Sequence, residues 1–116
     1  MATILCVDDE AMALAVRAKV LEAAGYVVIT ASTASEALRL FKSDHIDLVI
    51  TDHLLPGTTG NDLAQELRKL SPTLPIVILS GDQIPNAMQP PDFYLHKLDG
   101  PAKMIAKVQS IIGLYR

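Results

Sequence analysis

Residues 3–9 are TILCVDD, a short and mostly apolar run that ends in two aspartates. A run of this kind is typical of a strand buried in a parallel sheet. Three more such runs each end at a polar residue: residues 46–51 before Asp52, 75–79 before Ser80, and 92–96 before Lys97. Because the carboxyl ends of parallel strands meet at one edge of the sheet, we expect these polar side chains to lie together there.

Helical signals separate these runs. Four helices are predicted over about residues 10–24, 33–42 and 61–70 and from about Pro101 onward, with a further strand over residues 26–31. Strands that alternate with helices over short connections require right-handed crossovers and a parallel sheet covered on both faces. The sequence therefore predicts one α/β domain over residues 1–116, a flavodoxin-like, doubly wound sheet of five strands in the order 2-1-3-4-5.

The composition excludes several classes of function. The 116 residues carry a net charge of -3, whereas non-specific nucleic-acid binding needs a basic face. No apolar stretch is long enough to cross a bilayer and no signal-peptide pattern opens the chain, so we expect a cytoplasmic domain without membrane or nucleic-acid partners. The single cysteine, Cys6, lies within a predicted strand and is expected to be a small core residue.

The three aspartates at the predicted sheet edge suit a divalent cation. Like charges this close are unfavourable unless a cation neutralises them, and Mg²⁺ accepts one or two carboxylates together with a phosphate oxygen. An Asp-Asp pair alone would more often supply a helix cap and a solvated residue. The presence of Asp52 and Lys97 on matching strand ends favours a site for Mg²⁺ and a phosphoryl group, in which Asp52 is the nucleophile that forms an acyl phosphate.

Four motifs occur in order along the chain: Val7-Asp8-Asp9-Glu10, Asp52 with Pro56 and Gly60, Ser80-Gly81, and Phe93-Tyr94-Leu95-His96-Lys97. With them the chain resembles the response-regulator receiver domain, the CheY-like phospho-acceptor module of two-component signalling. The resemblance implies phosphorylation of Asp52 by a histidine kinase or a phosphotransfer protein in a Mg²⁺-dependent phosphorelay. It also implies a phospho-acceptor that assists its own phosphorylation and dephosphorylation, rather than an ordinary enzyme, and a switched surface that binds an unknown downstream target.

The same resemblance implies a role for each residue of the site: direct Mg²⁺ ligands (Asp9, Asp52 and the backbone carbonyl of Leu54), a Mg²⁺ ligand through water (Asp8), and phosphoryl contacts (Ser80 and Lys97). Ser80 and Tyr94 would form the switch. In the family, the aromatic ring changes rotamer as the hydroxyl side chain is drawn inward, which makes a bistable element that a local charge can bias.

Three departures from the family pattern carry expectations of their own. Leu98 replaces the usual proline after Lys97, so we expect a trans bond there, because a cis bond before leucine would cost about 3 kcal/mol. The segment over residues 81–96 is short and contains three prolines, which predicts a fourth helix that is shortened or absent and argues against the usual dimerisation face. Leu54 cannot orient an attacking water, so we expect a long-lived acyl phosphate.

The first helix carries two rows of apolar residues, one expected to face solvent (Ala11, Leu14, Ala15 and Ala18) and one expected to face the sheet (Ala13, Val16 and Val20). An exposed face of small residues around Leu14 would suit docking of the helical bundle of a kinase. His53, next to Asp52, could be a phosphohistidine or a metal ligand, but a lone loop histidine without a partner at ligand spacing is expected to be solvated.

Two other functions stay open at this point. One is a degenerate receiver that binds partners without phosphorylation, although the complete set of charged residues argues against it. The other is a phosphohydrolase with Asp52 as nucleophile, which would need a second acid/base carboxylate and a substrate pocket. A flavin site lacks support, because no phosphate-cradling loop follows the first strand. The chain shows no DNA-binding or enzymatic domain, so it is expected to be a stand-alone regulator or a receiver from a larger protein.

Overall fold

The structure is a computed structural model that describes residues 1–81 and 92–114. Strands and helices alternate along it as β1 (Thr3–Val7), α1 (Ala11–Ala23), β2 (Val27–Ala31), α2 (Ala34–Ser43), β3 (Leu48–Asp52), β4 (Leu54–Leu55), β5 (Thr58–Thr59), α3 (Gly60–Leu70), β6 (Ile76–Ser80), β7 (Asp92–His96) and α4 (Gly100–Leu114). A 3-10 turn at Lys97–Asp99 joins β7 to α4.

Five strands form one parallel sheet in the order β2-β1-β3-β6-β7. The short strands β4 and β5 form a separate antiparallel hairpin, so β6 and β7 are the predicted fourth and fifth strands and the predicted order 2-1-3-4-5 is confirmed. The register sets the carboxyl ends side by side, in the pairs Val7 with Thr51, Asp52 with Leu79, and Ser80 with His96. The polar residues at these ends therefore share one edge of the sheet.

The central strands are buried on both faces of the sheet. Along β1, Leu5 and Val7 join the hydrophobic cluster under α2 and α3, whereas Ile4 and Cys6 join the cluster under α1 and α4. Burial on both faces explains why these strands are continuous apolar runs in the sequence. Cys6 is fully buried, and burial raises the pKa of its thiol to about 12, so the prediction of a core cysteine is confirmed.

The buried face of α1 differs from the predicted one at two residues, Leu14 and Val16. Leu14 and Leu21 are buried, and Arg17 lies between them on the same face. Met12 and Val16 are instead exposed, by 78% and 60%. The expectations that Leu14 is exposed and that Val16 faces the sheet are therefore wrong, whereas Ala11 and Ala15 are exposed and Val20 packs on the core as predicted. Arg17 interrupts the apolar residues of this face, so the spacing of apolar residues in the sequence does not identify it as the buried face.

Two threonine side chains cap the helices α2 and α3. Thr33 Oγ1 accepts a hydrogen bond from the Glu36 N–H at 3.1 Å at the start of α2, and Thr59 Oγ1 accepts one from the Asp62 N–H at 3.1 Å at the start of α3. The Glu36 carboxylate returns to the N–H of Ser32 at 2.8 Å, one residue before the cap. The Thr59 cap fixes where α3 begins, and with it the end of the loop that follows β3.

The predicted shortening of the fourth helix concerns residues 82–91, which lie outside the described residues, and it stays a prediction. Over residues 1–81 and 92–114 the helices are α1 to α4. In this part of the chain, no helix has both the length and the apolar character that crossing a membrane requires.

Candidate functional site

Three carboxylates meet at the carboxyl edge of the sheet. Asp8 and Asp9 follow β1 and Asp52 ends β3, and one carboxylate oxygen of each lies within 4.8 Å of the others. Asp8 and Asp52 are buried, whereas Asp9 is exposed at the rim. An all-oxygen set with one carboxylate open to solvent fits a hard divalent cation such as Mg²⁺. The structure thus brings the three predicted aspartates together.

Lys97 reaches this cluster from the end of β7, two strands away from β3. Its Nζ lies 2.9 Å from Asp52 Oδ1, and the Asp52 side chain is only 8% exposed. The hydrogen bond with Asp52 raises the pKa of Lys97, although desolvation opposes the shift. The ammonium is therefore charged at neutral pH and neutralises part of the acidic cluster.

The turn after Lys97 is closed by a reciprocal cap. His96 Nδ1 accepts a hydrogen bond from the Leu98 N–H at 3.0 Å, and Asp99 Oδ2 accepts one from the His96 N–H at 2.9 Å. These bonds hold the backbone on both sides of Lys97, at the place where the family pattern has a proline. The trans Lys97–Leu98 bond stays a prediction.

Ser80 and Tyr94, the predicted switch pair, lie on adjacent strands. Ser80 is buried at the end of β6 and lines the same cleft as Asp52 and Lys97. Tyr94, on β7, is half-buried, and its hydroxyl donates a hydrogen bond to Asn61 Oδ1 at 3.1 Å. Asn61 was not predicted, because no local pattern links residues 33 positions apart. The ring position in this structure is thus tied to the first turn of α3.

The loop after Asp52 shapes the open side of the cleft. Leu54 lines the cleft and is 63% exposed. Gly60 packs so closely on β3 that a Cβ there would overlap the carbonyl oxygen of Asp52, and its N–H donates to the His53 carbonyl at 2.7 Å. His53 is half-buried with its Nδ1 atom buried, so this histidine is less solvated than expected.

Asp8 is engaged by the protein at both carboxylate oxygens. Oδ2 accepts a hydrogen bond from Arg17 Nη1 at 3.2 Å, and Oδ1 accepts one from the Glu10 N–H at 2.9 Å. The Arg17 and Asp8 side chains are only 12% and 3% exposed. Sequence reasoning missed Arg17, although a charged residue nine positions after Asp8, among the apolar residues of a helix, is the signal that could have found it.

The sequence matches a family model described as the response regulator receiver domain over residues 4–90. The probable transcriptional regulator ycf27 of Porphyridium aerugineum is 35% identical over 114 residues, which cover 94% of this chain and 47% of that protein. The chain therefore spans about half the length of the curated relatives it matches.

Solved structures show the same relationship. A response regulator receiver domain protein from Clostridium thermocellum has a TM-score of 0.91 at 32% identity, with 99% of this chain and 97% of that chain covered. The response regulator TrrA from Thermotoga maritima, solved in complex with Mg(2+)-BeF, has a TM-score of 0.86 at 31% identity, with 96% and 99% covered. Sequence, sheet order and site geometry agree, and the chain belongs to the receiver domain family of two-component response regulators.

Proposed function

We propose that this receiver accepts a phosphoryl group on Asp52, from a histidine kinase or a phosphotransfer protein, in a Mg²⁺-dependent reaction. The proposal rests on the surroundings of Asp52. Asp52 is buried, lies within 4.8 Å of two further carboxylates, and has the Lys97 ammonium 2.9 Å away. Phosphoryl transfer depends on positioning and on neutralisation of charge more than on covalent assistance, and this arrangement supplies both.

The chain's own residues have separate tasks in the transfer. An oxygen of Asp52 attacks phosphorus, the bond from phosphorus to the donor histidine nitrogen breaks, and an acyl phosphate forms on Asp52. Lys97 neutralises charge on the phosphoryl oxygens, and the Ser80 hydroxyl donates to one of them. Asp9, Asp52 and the Leu54 carbonyl would hold Mg²⁺ directly and Asp8 would hold it through water; the cation would neutralise further charge.

We infer that the switch works through the pair Ser80 and Tyr94. Ser80 lines the cleft, so a hydrogen bond to the phosphoryl group would move its side chain. Tyr94 lies in the register position next to Ile78 on β6, two residues before Ser80, and its hydroxyl is held by Asn61. Movement of Ser80 would change the space available beside β6. The equilibrium between the present position of the Tyr94 ring and a second rotamer would then shift. Partner proteins would then recognise the surface around β7.

The experiment that tests the proposal uses Mg²⁺ and a small acyl-phosphate donor. Intact mass spectrometry of the wild-type protein should show one addition of about 80 Da, the mass of a phosphoryl group. No addition would favour the degenerate receiver that only binds partners. Continuous release of phosphate, with no stable labelled protein, would favour the phosphohydrolase.

The surface that meets the phosphoryl donor is proposed to include Met12 and Val16 in place of Leu14. Both are exposed on α1 and line a groove of about 370 Å³ between α1 and the start of α4. Lys97 lines this groove and also the cleft around Asp52. A helix that carries the phosphohistidine and lies in the groove would therefore bring its imidazole close to Asp52.

Val16→Asp should slow phosphotransfer from a histidine kinase that phosphorylates the wild-type chain by roughly tenfold, about 1.4 kcal/mol, since a charge would enter the apolar contact. Phosphorylation by the small donor should stay unchanged, because that donor needs no docking surface. Val27→Asp is the matched control, as Val27 is 41% exposed on β2 and is not part of the groove. Equal slowing with both donors would count against docking at Val16.

Leu54→Asn should shorten the lifetime of the acyl phosphate. An exposed leucine beside Asp52 can offer no hydrogen bond to an attacking water, whereas an amide can. We expect hydrolysis to accelerate on the order of tenfold, about 1.4 kcal/mol in the barrier, when loss of the phosphoryl mass is followed with time. Leu70→Asn, at an exposed leucine in the last turn of α3, should leave the lifetime unchanged. Hydrolysis of the wild type within seconds, unaffected by Leu54→Asn, would refute the idea.

Two expectations from composition stay predictions. The absence of nucleic-acid binding is expected for these 116 residues, which carry a net charge of -3. Relatives named as probable transcriptional regulators are about twice as long as this chain, so their name does not bear on what these residues contact. The cytoplasmic location is likewise proposed.

A further inference from the structure

We propose that Arg17 is an internal counter-ion of the acidic cluster, which keeps Asp8 from direct contact with a bound divalent cation and lowers the affinity of the site for Mg²⁺. This inference rests on the proposed Mg²⁺ site and adds a residue that regulates it. Arg17 would thus be a positioning residue, because it acts on the cation through Asp8.

The first observation is the burial of the pair. Arg17 lies on the buried face of α1, between Leu14 and Leu21, and its side chain is 12% exposed. Its Nη1 atom is 3.2 Å from Asp8 Oδ2, and the Asp8 side chain is 3% exposed. Arginine is almost never buried unless it is paired, and removal of one partner leaves an uncompensated charge. The two side chains therefore hold each other in place.

The second observation is that Asp8 has its other oxygen engaged too. Asp8 Oδ1 accepts the N–H of Glu10 at 2.9 Å, at the entrance to α1. A cation that bound Asp8 directly would have to share a carboxylate oxygen with one of these two donors. Asp9 is exposed, and the contact of Asp52 with Lys97 is at one oxygen, Oδ1. Direct coordination is therefore more favourable at Asp9 and Asp52 than at Asp8.

The third observation is the charge of the cluster. The three aspartates carry three negative charges. Lys97 forms an ion pair with Asp52, and Arg17 forms one with Asp8. The two cations leave one net negative charge, where Lys97 alone would leave two.

The test measures cation binding directly on the unphosphorylated protein. Mn²⁺, which prefers the same oxygen ligands as Mg²⁺, is titrated while its free concentration is followed by electron paramagnetic resonance. Mg²⁺ binding is measured by calorimetry. Arg17→Met should bind both ions roughly tenfold more tightly than the wild type, because a positive charge close to the cation is removed. Arg17→Lys should restore an affinity close to that of the wild type.

Lys19→Met is the matched control, since it removes the same charge from an exposed position of the same helix. It should leave cation affinity unchanged, and an equal gain would show that only net charge matters. If Arg17→Met does not fold, Arg17→Gln takes its place, because the amide keeps a hydrogen bond to Asp8 without the charge. The circular dichroism spectrum of each variant shows which one is folded.

The outcomes separate this inference from the proposed function. Unchanged or weaker Mn²⁺ binding in the folded, uncharged variant overturns the role of Arg17, even if Asp52 is still phosphorylated. Tighter binding without any phosphorylation of Asp52 supports the role of Arg17 and overturns the proposed function. If neither the wild type nor the uncharged Arg17 variant binds Mn²⁺ at millimolar concentrations, both the proposed Mg²⁺ site and the inference are wrong.

Discussion

Asp52→Asn should gain no phosphoryl group under conditions in which the wild-type protein gains about 80 Da. The amide has no anionic oxygen to attack phosphorus, and Lys97 would lose its ion pair. The measurement is intact mass after incubation with Mg²⁺ and a small acyl-phosphate donor. This is the largest effect expected of any substitution at the site, because it removes the bond that the reaction forms.

The control for this experiment is Asp44→Asn, which makes the same replacement at an exposed position after α2. It should be phosphorylated like the wild type. A folded Asp52→Asn protein that still gained the phosphoryl mass would move the acceptor to another residue. Loss of the signal in both variants would point to a general effect of charge on the reaction.

Gly60→Ala should destabilise the fold by about 3 kcal/mol, at the upper end of the range for overpacked positions. The added Cβ would overlap the carbonyl oxygen of Asp52 and would lie 3.3 Å from the Cα of His53. Both neighbours are backbone atoms of β3 and its loop, so they cannot move aside as a flexible side chain would. The free energy of unfolding, measured in urea by circular dichroism, checks this expectation.

Gly113→Ala provides the matched control, because it makes the same change in α4 with no atom within 4 Å of the new Cβ. Alanine has the higher helix propensity, so this variant should be as stable as the wild type or more stable by up to about 1 kcal/mol. Equal losses in both variants would mean that the contact with Asp52 does not matter. Gly60→Ala should also phosphorylate more slowly, since relief of the overlap would shift the end of β3.

The sheet and the acidic cluster could be predicted from the sequence because both depend on local patterns. A strand buried on both faces is a continuous apolar run, and β1, β3 and β6 all have this form. Parallel strands then bring their carboxyl ends to one edge whatever the details of packing. For this reason the grouping of Asp8, Asp9, Asp52, Ser80 and Lys97 needed no knowledge of side-chain contacts.

The features that sequence reasoning missed depend on pairs of residues that are distant in the chain or break a local rule. Arg17 lies on the buried face of α1, where Asp8 neutralises it, so periodicity alone placed Leu14 in solvent and Val16 toward the sheet. The bond from Tyr94 to Asn61 joins β7 to α3. The β4–β5 hairpin consists of two-residue strands, too short to give a pattern.

The burial of Cys6 provides a way to measure the local stability of β1. The chain has one cysteine and no tryptophan, and the thiol is inaccessible in the middle of β1, which pairs with both β2 and β3. A thiol reagent can therefore reach it only when the centre of the sheet opens. The alkylation rate of the native protein then reports the opening free energy of that strand, a site-specific gauge that needs no introduced label.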